Sequence, residues 1–137
     1  MITGQIKTRF QFHDIQNLSN NKDIIKRLCA DDTDSINIYW LGQHSYNPIW
    51  NLQKEAHALR VQQKINDVIF LLEHNHVYTL GKNANENHIL PSKPESAEII
   101  KIDRGGDVTY HGPGQLVGYP ILDLHNYKMS INWYLKL

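Results

Sequence analysis

Val68-Ile69-Phe70-Leu71-Leu72-Glu73-His74 is an apolar run that closes on two polar residues, with Asn66-Asp67 before it and Asn75 after it. It is too short for an independent helix and reads as a strand buried on both faces, as at the centre of a sheet. The residues ahead of it read as a helix. Ile49, Leu52, Ala56 and Leu59 recur at steps of three and four and form one apolar stripe, with Gln53, Lys54, Glu55, Arg60 and Gln62 on the other side. Asn47 is expected to cap this helix. Pro48 is expected at its first position, where the missing N–H has no intrahelical partner in any case. The helix is expected to end near Asn66, and Ile36 to Gly42, loosely alternating and rich in β-formers, reads as a strand before it.

Farther out the signals weaken towards the amino terminus. Ile6, Phe10 and Phe12 are candidates for a short strand, Asp23 to Cys29 for the start of a helix, and the polar run Asp31 to Ser35 for a linker. The expected organisation is an extension of unknown structure over residues 1–35, followed by one domain over 36–137. Downstream, Val77 to Leu80 continues extended as far as Gly81, and residues 82–97, with Pro91 and Pro94, read as a surface loop. Ile99 to Ile102, Val108 to Tyr110 and Leu116 to Leu124 are further strand candidates. Ser130 reads as the cap of a helix carrying Ile131, Tyr134 and Leu135, interrupted at Leu137.

The totals bound the class. A chain of 137 residues suits one domain, and 41% hydrophobic with 20% charged residues supplies a core. Lys plus Arg equals Asp plus Glu at 14 each, so the basic excess of a nucleic-acid partner is missing. No apolar run approaches the roughly 18 residues of a membrane span. Met1 to Lys7 lacks the apolar stretch of a secretory signal, so the expected location is the cytoplasm, away from any membrane. The single cysteine, Cys29, excludes an internal disulfide and reads as an ordinary, unreactive thiol.

The chemistry concentrates in Asp103-Arg104-Gly105-Gly106-Asp107-Val108-Thr109-Tyr110-His111-Gly112-Pro113-Gly114-Gln115. Gly105 and Gly106 after a strand allow a tight turn and a close backbone approach to a ligand, with N–H groups that can point at a carbonyl or anionic oxygen. Arg104 adds a fixed cation, and Thr109, Tyr110 and His111 add a hydroxyl, an amphipathic ring and a titratable imidazole. Gly112-Pro113-Gly114 turns the chain again, so two glycine turns around a short strand suggest a pocket wall.

Nucleotide readings fail on the residues. No Gly-Lys-Ser/Thr triplet is present, and Gly112, Gly114 and Gly118 are mis-spaced for a dinucleotide loop and lead into a strand. His74 and His76 alternate on a strand, but two imidazoles without a third ligand make a poor metal site, so no metal is expected.

Arg104-Gly105-Gly106-x-x-Thr109-Tyr110-His111-x-x-Gly114-Gln115-x-Val117-x-Tyr119 resembles the signature of the octanoyltransferases, also called lipoate-protein ligase B. Glu73-His74-x-x-Val77-Tyr78-Thr79-x-Gly81 and Asn87-His88-Ile89-Leu90 match the spacing of the same family, and the resemblance covers about residues 36–137. It implies an α/β fold, a mixed sheet flanked by helices, of the biotin and lipoate protein ligase kind. It implies transfer of an octanoyl group from octanoyl-acyl carrier protein through an enzyme cysteine to a lysine of a lipoyl domain. The acceptors it implies are the 2-oxoacid dehydrogenases and the glycine cleavage H protein, and no cofactor is called for. By the same resemblance Arg104, Gly105, Gly106, Asp107, Val108, Thr109, Tyr110 and His111 are the substrate-binding residues. The family's cysteine and lysine stand downstream of the signature and are not met before Leu137, so the chain is expected to be a truncated, N-terminal part without turnover. The alternatives are a non-catalytic remnant that binds acyl groups or acyl carrier protein, and an ATP-dependent lipoate or biotin ligase of the same fold.

Overall fold

The computed structural model describes residues 9–84, 96–103 and 105–123. The expected helix from Ser130 and most of the expected 82–97 loop lie outside the described residues. Nine elements follow in order: β1 (Phe10–Asp14), α1 (Asn21–Ala30), β2 (Ile36–His44), α2 (Tyr46–Val61), β3 (Val68–His74), β4 (Val77–Leu80), β5 (Glu98–Lys101), β6 (Val108–His111) and β7 (Val117–Ile121). They make two sheets. One has the order β1-β2-β3-β7, with the first three strands parallel and β7 antiparallel to β3; the other has the order β5-β4-β6. The mixed sheet and flanking helices expected from the resemblance are therefore present.

Residues 9–35 join this architecture. β1 pairs in parallel with β2 from Phe10 beside Ile36 to Asp14 beside Trp40. Asn20 caps α1 by accepting the Asp23 N–H at 2.9 Å, and Ile24 and Leu28 from that helix enter the main core. Burying those two side chains gives on the order of 2 kcal/mol each, which fixes α1 on the sheet. A polar network seals the same corner. Tyr39 donates to Asp31 at 2.8 Å, Arg27 donates to Asp31 at 2.9 Å and to His13 Nδ1 at 3.2 Å, and His13 stacks on Tyr39.

Two sequence expectations need correction. The helix α2 starts at Tyr46, two residues before Pro48, and ends at Val61 rather than near Asn66. Pro48 still falls in the first turn, where its lost N–H is harmless. The position ahead of the helix belongs to Ser45, whose hydroxyl makes no cap but accepts from the Asn75 amide at 3.0 Å. The β3 run is not buried on both faces. Val68, Phe70, Leu72 and His74 are fully buried, whereas Ile69, Leu71 and Glu73 between them are half-buried. One face meets the core of Ile49, Leu52 and Ala56, and the other is only partly covered.

β6 and β7, joined by the Gly112–Gln115 turn, lie in different sheets. The signature segment therefore bridges the sheets at the point where β3 passes into β4. Glu73 Oε1 accepts the Gly114 N–H at 2.5 Å and holds that turn to the end of β3.

Candidate functional site

The site is built around the carboxyl end of β3. His74 alternates into the buried face and is wholly enclosed. Its Nδ1 lies 3.2 Å from the His44 carbonyl, which can only accept, so that nitrogen carries the proton. Nε2 is then the acceptor for the Tyr119 hydroxyl at 2.8 Å. The ring also faces Tyr46 with centroids 5.2 Å apart and His111 at 5.8 Å. α2, β3, β6 and β7 thus each contribute one aromatic or imidazole ring to a single cluster.

Its electrostatics follow from burial. Desolvation holds the His74 imidazole below its ordinary pKa, the His44 carbonyl opposes this, and the neighbouring His111 and His44 add to it. Burial pushes the Tyr119 phenol up to about 12, with Tyr46 adding to the effect. Burial thus favours the neutral imidazole at His74 and the neutral phenol at Tyr119.

The signature residues divide above this floor. Gly105 and Gly106 form the turn after β5, with Gly106 at φ +93°, a conformation that suits glycine. That turn is pinned by Gly81 N–H donating to the Asp107 carbonyl and Asn83 N–H donating to the Gly106 carbonyl, each at 3.1 Å. In β6, strand alternation separates what the sequence runs together. His111 pairs with the buried Val77 and Thr109 with the buried Thr79, so these two share one face of β6, on which His111 is half-buried and Thr109 exposed. Tyr110 pairs with Tyr78 on the opposite face, where its ring lies 5.1 Å from Tyr78 and its hydroxyl meets His76 Nδ1 at 2.5 Å. Thr109, Tyr110 and His111 therefore do not line one cavity together. Val108 goes with Tyr110, and Arg104 lies outside the described residues.

The sequence reading left Tyr46 out and met Tyr119 only as a member of the signature. Tyr119 could be found through its place in the signature. Tyr46 carries no such mark; only the position of the helix start brings it to His74. Among the described residues no group of three or more His, Cys, Asp or Glu could hold a metal ion, and no helix is long and apolar enough to cross a membrane.

Comparison with known proteins adds to this geometry. The profile described as "Lipoyl protein ligase A/B catalytic domain" matches residues 45–137, from the residue before α2 through the whole cluster. The chain belongs to the lipoyl protein ligase A/B catalytic domain family. Within the family it is similar to proteins named octanoyltransferase. One from Gloeobacter violaceus is 50% identical over 96 residues, which is 69% of this chain and 43% of that protein. One from Caldicellulosiruptor bescii is 47% identical over 93 residues (65% and 41%), and one from Chloroflexus aurantiacus is 39% identical over 106 (74% and 48%). The chain thus spans less than half the length of these relatives.

The lone thiol sits far from the cluster. Cys29 is exposed beside Asp31, Asp32 and the Lys64–Asn66 loop that leads into β3. His74 closes the other end of that strand, roughly 20 Å away at ~3.3 Å per strand residue.

Proposed function

We propose that this chain carries the acyl-binding half of an octanoyltransferase, which takes an octanoyl group from octanoyl-acyl carrier protein and delivers it to a lysine of a lipoyl domain. The observation that carries the proposal is the face of β6 that presents Thr109 and His111, with His111 set beside the His74–Tyr119 pair. A wall of packed rings suits an alkyl chain. Backbone N–H groups of a glycine turn suit the thioester oxygen, where a well-aimed donor typically lowers the barrier by ~3 kcal/mol.

The chemistry requires two acyl transfers. A thiolate attacks the thioester carbon, the carbon–sulfur bond to the carrier breaks, and the carrier thiolate leaves and takes up a proton. A lysine ε-amine then attacks, forming the amide, losing a proton and releasing the first thiolate. Cys29, some 20 Å from the cluster by the strand rise, is not that thiol in this proposal. On this reading these 137 residues hold the acyl group without turning it over. Incubation with labelled octanoyl-acyl carrier protein and a lipoyl domain tests it. The expected result is no transfer, whether or not Cys29 is replaced by serine. Transfer by the purified chain that disappears in Cys29→Ser would overturn the assignment.

A further inference from the structure

Just before the ring cluster, β2 carries one residue more than its neighbour. Trp40 stands beside Leu71 and Gln43 beside Glu73, so β2 advances three residues while β3 advances two. The extra residue is a bulge at Leu41-Gly42, with Gly42 at φ +81°. In an unbroken register Gln43 would stand beside His74; the bulge puts His44 there instead. The His44 imidazole ties the bulge down, its Nε2 donating to the Leu41 carbonyl at 2.6 Å.

The residue after His74 grips this corner from the other strand. The Asn75 N–H donates to the His44 carbonyl at 3.0 Å. Its side-chain oxygen accepts from the Gln43 amide at 2.6 Å, and its side-chain N–H donates to Ser45 Oγ at 3.0 Å. One asparagine thus holds three consecutive residues, 43 to 45. The middle one supplies the carbonyl that accepts the His74 Nδ1 proton at 3.2 Å. That carbonyl has two lone pairs, one for each donor. A neutral imidazole has a single N–H, and the acceptor set before it decides which nitrogen keeps the proton.

We infer that Asn75 is a positioning residue: by holding residues 43–45 it aims the His44 carbonyl at His74 and so selects the Nδ1–H form of that imidazole. Resting on the function proposed above, this choice sets what the acyl-binding cluster offers. With Nε2 bare, Tyr119 donates its one hydroxyl proton to His74 at 2.8 Å and presents only lone pairs to its other neighbours. With the proton on Nε2 the roles reverse, and Tyr119 becomes a donor that competes for the oxygen of a thioester. Asn75 therefore decides, from outside the cluster, whether Tyr119 meets the acyl group as an acceptor or as a donor.

Long-range ¹⁵N NMR of the histidine-labelled chain at about pH 7.5, where an ordinary imidazole is neutral, tests this. The His74 signals are assigned by their absence in His74→Gln. The unaltered chain should show a protonated Nδ1 and a bare Nε2. Asn75→Ala should lower the ratio of Nδ1–H to Nε2–H forms about fivefold, the size of one ordinary hydrogen bond. Ser45→Ala, a smaller change at the same contact, should move it in the same direction. Asn75→Asp, whose carboxylate accepts from both Gln43 and Ser45, should restore most of the ratio. Ile24→Val, which loosens the core at α1, should leave it unchanged. An unchanged ratio in folded Asn75→Ala and Ser45→Ala, an equal drop in Ile24→Val, or an Nε2–H form in the unaltered chain would each overturn the inference. No ligand enters this measurement, so its failure leaves the proposed function standing. Failure of the chain to bind S-octanoyl-pantetheine would overturn that function without altering the ring-nitrogen result.

Discussion

At Gly112 the reason for a glycine is measurable. A Cβ built there would lie 2.0 Å from the Tyr110 hydroxyl and 3.1 Å from His76 Nδ1, because the Tyr110 side chain folds back over Gly112 to reach His76. Gly112→Ala must break that hydrogen bond or displace the turn, at a cost of about 1–3 kcal/mol. Urea denaturation should show the loss, and most of it should vanish in a Tyr110→Ala background, where the two changes share one contact. Equal costs in both backgrounds would contradict the fold-back. His74 gives a prediction of pH dependence. Its folded pKa is lowered below the ordinary value near 6.5. Above that pH both folded and unfolded chains hold it neutral, and its contribution is complete. As pH falls from about 6.5 towards the lowered value, the unfolded chain takes up a proton that the folded one refuses, and stability is lost. His44, His111, Tyr46 and Tyr119 face it, and the Tyr119 phenol, pushed up to about 12, stays neutral in this range. The Tm advantage of the unaltered chain over His74→Gln should therefore shrink between about pH 7.5 and pH 5.5. A gap that stays constant or widens would contradict a neutral, buried His74.

At the scale of elements, one buried carboxylate joins three of them. Asp67, fully buried ahead of β3, accepts from Arg60 Nε at 2.7 Å and from the Asp123 N–H at 2.9 Å. Arg60 comes from the last turn of α2 and Asp123 follows β7, with Arg60 also 3.7 Å from the Asp123 carboxylate. Arg60→Ala removes the Arg60 partner of the buried Asp67 carboxylate and should cost about 3–5 kcal/mol, whereas Arg60→Ala with Asp67→Asn should cost clearly less than the sum of the two. Additive losses in thermal melts would contradict the pairing. This tie was not legible in the sequence, since Arg60 and Asp67 belong to no motif and meet only because α2 ends at Val61 and the chain doubles back. The apolar stripe from Ile49 to Leu59 was legible because burial imposes the helical period directly. The start of α2 was missed because Ser45 spends its hydroxyl on Asn75, so the cap left no local chemical mark. β3 was read as doubly buried because Ile69 and Leu71 are as apolar as their neighbours, yet the face they occupy is only half covered. The signature was legible as a block. Its division between the two faces of β6 was not, because alternation decides it only once the pairing register is known.

For the whole molecule, the arrangement is two sheets meeting where β3 passes into β4, with the signature segment crossing between them. This places the signature segment and the ring cluster at one end of β3 and leaves Cys29 at the other. Residues 9–35 complete the larger sheet, and Phe10 and Phe12 remain exposed on its β1 edge. The central claim is that a medium-chain acyl thioester binds the signature side. The most direct measurement is a backbone NMR titration of the ¹⁵N-labelled chain with S-octanoyl-pantetheine. The account predicts shift changes at Gly106, Thr109, His111 and Tyr46, none at Cys29 to Asp32, and their loss in Gly106→Val. Shifts confined to the Cys29 end, or an undisturbed spectrum at saturating thioester, would contradict it.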